Sequence, residues 1–274
     1  MFESTRRVSV TRVRRGPLET TDDTAAVEEP MEVRLHGRPF AVIMRTPGAD
    51  RELAAGFLFS EGVVHSNDDL GAIEHCRHPQ HPERHNIIDV YLLGRAAAEL
   101  DDHLDGRRRV LTNSSCVLCG RATIDSLRTR AEPLPNSLVI DKHAAAELPA
   151  RLRARQLAFD TTGGLHAAGI FASSGEYECS AEDVGRHNAV DKVIGRRLLD
   201  ERLPASQSIL VVSGRTSFEI IQKAWLAGIE LVCAVSAPSS LAIELADTAG
   251  ITLLGFARDG GFNIYAHPGR IAGV

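Results

Sequence analysis

No apolar run in this chain reaches the roughly 20 residues that a membrane-crossing helix needs, which predicts a protein without such a span. Met1-Phe2-Glu3-Ser4-Thr5-Arg6-Arg7 carries basic residues with no apolar stretch behind them, so a secretory signal is not expected. Positive charge is not in excess: 31 Lys and Arg stand against 36 Asp and Glu, for a formal charge of -5. That balance argues against general nucleic-acid binding while leaving room for a local basic pocket. Neither Gly-x-x-x-x-Gly-Lys-Ser/Thr nor Gly-x-Gly-x-x-Gly occurs, so phosphate-loop ATP hydrolysis and dinucleotide redox chemistry lack their signatures. The five cysteines are an odd number and form no disulfide framework, which suits a reducing compartment and predicts a cytoplasmic protein. There is no internal repeat.

What remains is an ordinary globular composition, 43% hydrophobic and 24% charged over 274 residues, enough for one large domain or two modest ones. Its chemical centre is Asn113-Ser114-Ser115-Cys116-Val117-Leu118-Cys119-Gly120. Ile124 and Leu127 follow at helical spacing, so a short helix is expected to start near Cys119. Thiols at a helix N-terminus feel unpaired N–H groups and favour thiolate, and Arg121 with Arg107-Arg108-Arg109 adds positive charge. Three readings compete. A structural zinc site needs about four ligands, and the chain has no second Cys-x-x-Cys to complete one. Two inert buried cysteines would not call for Ser-Ser before them and Gly after them. An exposed loop doing thiol chemistry fits both features.

The first part of the chain reads as β-rich. Residues 1–29 are a polar lead-in in which Val8, Val10 and Val13 supply one early strand. The 31–35 and 40–44 runs around His36-Gly37-Arg38-Pro39 predict a hairpin. A helix is expected from an Asp50 cap to Gly62, with Leu53, Phe57 and Leu58 on one face. Residues 64–86 hold His75, Cys76, His78, His81 and His85. That density resembles a metal tract, but Pro79 and Pro82 interrupt it and a solvated bridge is the better reading. A strand over 86–93 and a short helix over 96–104 complete a smaller N-terminal α+β subdomain, 1–108.

The second domain, 109–274, changes pattern. A helix is expected over 144–159, then a tight turn at Thr161-Thr162-Gly163-Gly164-Leu165-His166 and paired strands at 167–172 and 177–180. A helix follows with Ala189, Val190, Val193, Ile194 and Leu198 at three- and four-residue spacing. Strand runs at 208–213, 230–236, 251–256 and 262–265, with helices at 218–228 and 241–249 between them, read as βαβ units and a parallel sheet.

Ligands of open α/β sheets sit beyond the carboxyl ends of the strands. Three such ends carry suitable residues: Ser213-Gly214-Arg215-Thr216-Ser217, Ser236-Ala237-Pro238-Ser239-Ser240 and Phe256-Ala257-Arg258-Asp259-Gly260-Gly261. The first two place N–H groups and hydroxyls at helix starts, where phosphate binds, although simple helix capping explains each serine alone. Arg215 and Arg258 suit one anion, and Asp259 suits the donor edge of a base. Glu182, Asp183, Arg186, His187, Asn188, Asp191 and Lys192, with His166, suggest a polar site wall, set against capping by Asp183 and solvation of Arg186 and Asp191. Spacing alone does not decide whether His166 and His187 act as an acid/base pair.

Taken together these segments resemble the FdhD family, the accessory sulfur carriers of formate dehydrogenases. The likeness runs through Met44-Arg45-Thr46-Pro47-Gly48, Ser115-Cys116-Val117-Leu118-Cys119-Gly120, Gly163-Gly164-Leu165-His166-Ala167-Ala168, Glu182 to Lys192, Ser213-Gly214-Arg215, Ser236 to Ser240 and Tyr265-Ala266-His267-Pro268. The resemblance implies a cytidine-deaminase-like α/β/α core with a smaller β-rich N-terminal subdomain, usually as a homodimer. It implies that a cysteine desulfurase loads sulfur as a persulfide on Cys116, with Cys119 assisting. The sulfur then passes to the molybdenum cofactor, the bis-molybdopterin guanine dinucleotide form, before insertion into formate dehydrogenase. The 256–261 loop would bind that cofactor, a guanine nucleotide would be its mimic, and no metal ligand set is implied. Val117-Leu118 is bulkier than the residues often found there, and the histidine-rich bridge is not a family signature.

Two other classes remain in view. A zinc-dependent deaminase-like hydrolase would want His-x-Glu before Pro-Cys-x-x-Cys, whereas here Ser115 replaces the proline and His103-Leu104-Asp105 offers no such glutamate. A non-catalytic cofactor chaperone would need no thiol at all.

Overall fold

The computed structural model describes residues 3–13, 16–78, 81–107 and 132–274. The polar lead-in forms two strands rather than one: β1 (Thr5–Arg12) and β2 (Glu19–Ala26) pair antiparallel, with Thr5 opposite Ala26. Its composition offered little apolar alternation, and exposed cross-strand charge pairs such as Arg7–Asp22 add little to the backbone pairing.

β3 (Glu29–Leu35) and β4 (Arg38–Arg45) form the expected hairpin. His36 and Gly37 both take positive φ, 49° and 74°, the geometry of a two-residue turn whose twist matches the strands. Next come α1 (Asp50–Ser60), β5 (Leu70–His75) and β6 (Ile87–Leu92), then α2 (Gly94–Ala98) and α3 (Leu100–Arg107). β4, β3, β6 and β5 lie side by side in one sheet. The 64–86 bridge is therefore partly strand, because Leu70 and Ile73 are buried against this sheet's core. Asp50 is not the cap of α1. Ala49 occupies that position, while the buried Asp50 carboxylate accepts two hydrogen bonds, both 3.1 Å, from the Arg45 guanidinium.

The second part contains β7 (Ile140–Asp141), α4 (Lys142–Arg153), α5 (Leu157–Thr162), β8 (His166–Ala172), β9 (Tyr177–Asp183) and α6 (Arg186–Leu199). It continues through β10 (Ser208–Val212), α7 (Phe218–Leu226), β11 (Leu231–Ala234), α8 (Ser240–Ala249), β12 (Thr252–Arg258), β13 (Gly261–Ala266) and β14 (Ile271–Ala272). The helix expected over 144–159 is two helices. Gln156 leaves the helical conformation, and the Glu182 carboxylate from β9 starts α5 afresh by accepting from the N–H groups of Ala158 and Phe159 (2.9 and 2.8 Å).

The main sheet runs β13-β12-β11-β10-β8-β9 and corrects the expectation of a parallel sheet. Only β10, β11 and β12 are mutually parallel; β8, β9 and β13 join antiparallel. Tight turns at Ser173-Ser174-Gly175 and Asp259-Gly260 make hairpins, and a hairpin forces antiparallel pairing. Alternate side chains feed opposite faces. Ile209 and Val211 meet Leu148 and Leu152 of α4, whereas Leu210 and Val212 share a core with Val190, Ile194, Ile220 and Ala246 of α6, α7 and α8. The result is a three-layer α/β/α sandwich.

The four-stranded sheet and α1 join this sandwich through α6, in one core that includes Met31, Leu53, Leu58, Ile88, Val190 and Ile194. A buried polar seam crosses the same junction. Lys192 pairs with Asp183 at 2.7 Å and donates to the Thr46 carbonyl, while the Thr46 N–H donates to Asp183. Lys223 pairs with Asp191 at 2.6 Å, and the Ser60 hydroxyl donates to the same carboxylate oxygen. Asp183 is thus more than a cap, and Asp191 is buried rather than solvated. The expected domain boundary at 108 lies outside the described residues.

Candidate functional site at one edge of the main sheet

The parallel strands β10, β11 and β12 end at one edge of the sheet, where β8 begins, because it runs antiparallel to β10, and where β9 ends, because it is antiparallel to β8 and so runs with the parallel strands. Topology therefore brings His166, Asp183, Ser213, Val235 and Arg258 to a common edge; His166 lies directly opposite Asp183.

A cavity of about 790 Å³ opens there. One wall is built by Gly163, Gly164, Leu165 and His166, and another by Ser213, Val235, Ala257, Arg258, Asp259 and Gly260. The third wall comes from α4 and α5, through Pro149, Leu152, Arg153, Gln156 and Phe159 among others.

Each wall has a local cause. Gly163 ends α5 in the left-handed region, φ 64°, turning the chain back into β8. Ser213 sews β10 to β8: its N–H donates to the Ala167 carbonyl (3.0 Å) and its Oγ accepts from the Ala167 N–H (2.9 Å). The β12–β13 turn places Asp259 and Gly260 at φ 53° and 76°. Phe256 also sits at φ 51°, at an irregularity in the ladder, with its N–H donating to the Ser236 carbonyl. Left-handed backbone at bulky residues costs energy and is characteristic of ligand loops. The Arg258 guanidinium lies 5.9 Å from the centre of the Phe256 ring.

The electrostatics are cationic without charged histidines. Burial, reinforced by Arg186 and Arg215, lowers the His166 pKa. Burial, with Arg186 and Lys223 nearby, lowers His187 to about 4. His187 Nε2 lies 3.1 Å from Ser217 Oγ and 3.7 Å from the Glu219 carboxylate. With the imidazole neutral near pH 7, that last contact is not an ion pair. Burial alone would raise Glu219, but a Ser217 hydrogen bond, a backbone N–H and the nearby Arg186 charge outweigh it and hold the carboxyl low. Both His166 and Arg186 pack against Gly214, and the buried Arg186 Nε has no hydrogen-bond partner among the described residues.

Of the residues singled out in the sequence, His166, Ser213, Ala257, Arg258, Asp259 and Gly260 line the cavity together. Gly214, Arg215 and His187 lie beside His166 rather than in the lining, and Ser236, Ser239, Phe256 and Gly261 are outside it too. Ser239 Oγ caps α8 by accepting from the Ala242 N–H (3.2 Å). Its loop is laced to that of β10 through Thr216 N–H to the Ala237 carbonyl and Ser239 N–H to the Thr216 carbonyl. Cys116 and Cys119, with the helix expected near them, lie outside the described residues. Among the described cysteines, burial raises Cys179 and pushes Cys233 up to about 12, so neither is a thiolate at neutral pH. Among the described residues no His, Cys, Asp or Glu cluster is arranged to hold a metal, the histidine-rich bridge included. The α4–α5 wall was not anticipated, because nothing in the local pattern of residues 149–159 says which loop that helix face will meet.

The model of the FdhD/NarQ family matches residues 26–272. The chain belongs to the FdhD/NarQ family. Among its FdhD relatives is the sulfur carrier protein FdhD of Streptomyces coelicolor, 48% identical over 277 residues, covering 99% of this chain and 97% of that one. The sulfur carrier protein FdhD of Mycolicibacterium paratuberculosis is 43% identical and covers 98% of this chain and 100% of its own. A crystal structure from Desulfotalea psychrophila, assigned as a formate dehydrogenase accessory protein, superposes with a TM-score of 0.77 at 25% identity. It covers 98% of this chain and 100% of that one. No described helix of this FdhD/NarQ chain is long and apolar enough to cross a membrane.

Proposed function

We propose that this protein is a cytoplasmic sulfur carrier for the maturation of formate dehydrogenase. In this reading the Cys116 thiolate attacks the terminal sulfur of a cysteine desulfurase persulfide. The donor's S–S bond breaks, the donor cysteine leaves as a thiolate, and Cys116 becomes the persulfide. Cys119 assists by holding or relaying the terminal sulfur. The substrate that receives it is the molybdenum cofactor in its bis-molybdopterin guanine dinucleotide form, and the working unit is a homodimer.

The observation that carries the reading is the gathering of His166, Ser213, Arg258, Asp259 and Gly260 around one cavity in an FdhD/NarQ chain. The residues suit a nucleotide-bearing group. Arg258, Arg215 and the buried Arg186 Nε, unpartnered among the described residues, offer donors to phosphate, and the Asp259 carboxylate is suited to accept from the N–H edge of guanine. Neutral His166 and Ser213 offer further hydrogen bonds without an added charge to desolvate.

Formate dehydrogenase activity in cells whose only copy of this gene encodes Cys116→Ala tests the reading. A sulfur carrier leaves the dehydrogenase inactive although the variant accumulates normally. Full activity would mean that the protein chaperones the cofactor without carrying sulfur.

A further inference from the structure

β9 is the last strand of the main sheet, paired with β8 on one side and with no described strand on the other. A cavity of about 710 Å³ lies along it, lined by every residue from Tyr177 to Ala181. Successive side chains of a strand point to opposite faces, so a cavity that touches all of these runs along the open edge rather than over one face. Alternate residues of an antiparallel edge strand turn their N–H and C=O groups outward. Among the described residues, none of those groups in 177–181 bonds outside the β8 ladder. The edge closes just beyond, where Lys192 donates to the Glu182 carbonyl and pairs with Asp183. Neither proline nor lysine, the usual guards of an exposed edge, stands in the open stretch, and its one charge, Glu178, is paired with Arg197.

The facing side of the groove comes from α6 and the turn after it. Arg196 there is answered by Asp200 and Glu52, Arg197 by Glu178, and Lys192 by Asp183. Arg202 is the exception. It is exposed, lines the same cavity, and its guanidinium makes no ion pair or hydrogen bond to a described residue. A free strand edge supplies backbone pairing to any extended chain, and a spare guanidinium beside it selects for a carboxylate.

We propose that the β9 edge is a docking site for an extended, acid-bearing peptide segment of a partner protein, which adds to the main sheet as a strand and sets its carboxylate on Arg202. The groove shares no lining residue with the strand-end cavity, so that cavity stays open while the partner is held. The two are nonetheless close in the sheet: β8, the neighbour of β9, begins with His166 of the cavity wall.

Fluorescence polarisation of the full chain with two labelled peptides tests the assignment. Both probes alternate valine and threonine; one has glutamates and the other lysines in place of two threonines. The glutamate peptide should bind at least about tenfold more tightly than the lysine peptide, and Arg202→Glu should reverse that preference. Amide hydrogen exchange with the glutamate peptide bound should slow within 177–181. Binding of neither peptide, equal binding of both, a preference unaltered in Arg202→Glu, or protection confined to other segments would overturn the proposal. So would exchange at 177–181 that slows with protein concentration in the absence of peptide, because a second copy would then occupy the edge.

Discussion

Gly195 of α6 faces Gly56 of α1 so closely that a methyl group added at Gly195 would come within 2.6 Å of the Gly56 nitrogen and 1.9 Å of the Glu52 carbonyl oxygen. A methyl added at Gly56 would lie 1.9 Å from the Asp191 carbonyl oxygen. The obstructing atoms are backbone, which cannot swing aside as a side chain can. The helix pair joins the four-stranded sheet to the α/β/α sandwich, so Gly56→Ala or Gly195→Ala should destabilise the protein by about 3 kcal/mol or more. Gly269→Ala, where an added Cβ meets nothing within 4 Å, should change stability little. Urea denaturation of the three variants checks this; equal midpoints would mean that the helices are not in contact.

The same junction is crossed by the Asp183–Lys192 pair, with side chains 0% and 2% exposed. Removing one partner leaves a buried charge whose desolvation is no longer offset. Lys192→Met should therefore cost about 3–5 kcal/mol, more than its loss of one ion pair at a surface would suggest. Adding Asp183→Asn should recover part of the loss, since the stranded carboxylate is then gone. A double variant no more stable than the single one would count against the pair.

Ser213 gives a smaller and more local test. Its hydroxyl accepts from the buried Ala167 N–H, so Ser213→Ala strands that donor and should cost about 1–3 kcal/mol. Ser213→Thr retains the oxygen and should cost less. Thermal melting distinguishes the two.

His187 titrates near pH 4 in the folded protein against an unfolded value of 6.5. Below pH 6.5 the unfolded chain takes up a proton that the folded chain refuses, so this group's contribution to stability is complete above that pH. It declines as the pH falls toward about 4, by on the order of 3 kcal/mol in total. His187→Gln should flatten stability against pH across that window. An undiminished slope in the variant would show that other groups carry it.

Much of the fold was legible because strand and helix periodicities are local. The apolar runs at β10, β11 and β12 and the spaced Val190, Val193, Ile194 and Leu198 of α6 declare themselves. What escaped depends on distant partners. The break between α4 and α5 needs the Glu182 carboxylate 24 residues on, and the seam joins Thr46 to Asp183 across 137 residues. A signal existed for part of it: Asp191 and Lys192 sit between Ala189, Val190, Val193 and Ile194, and charges set that closely among core-facing residues are expected to be paired inside. The β8–β9 hairpin was readable from its Ser173-Ser174-Gly175 turn, whereas the antiparallel β13 follows from the Asp259-Gly260 turn, which strand–helix alternation before it overshadowed. In the site, the strand-end loops were readable from position and residue type. The α4–α5 wall was not, because the break that shapes it depends on the distant Glu182 carboxylate.

The central claim is that Cys116 carries sulfur, and intact-protein mass after incubation with a cysteine desulfurase and cysteine tests it most directly. Wild type, Cys116→Ala and Cys119→Ala are compared before and after reductant. The account predicts a gain of about one sulfur atom on wild type, removed by reductant and absent from Cys116→Ala. No gain on any form, with stoichiometric zinc in the native protein, would contradict it and return the cysteine pair to a metal-binding role.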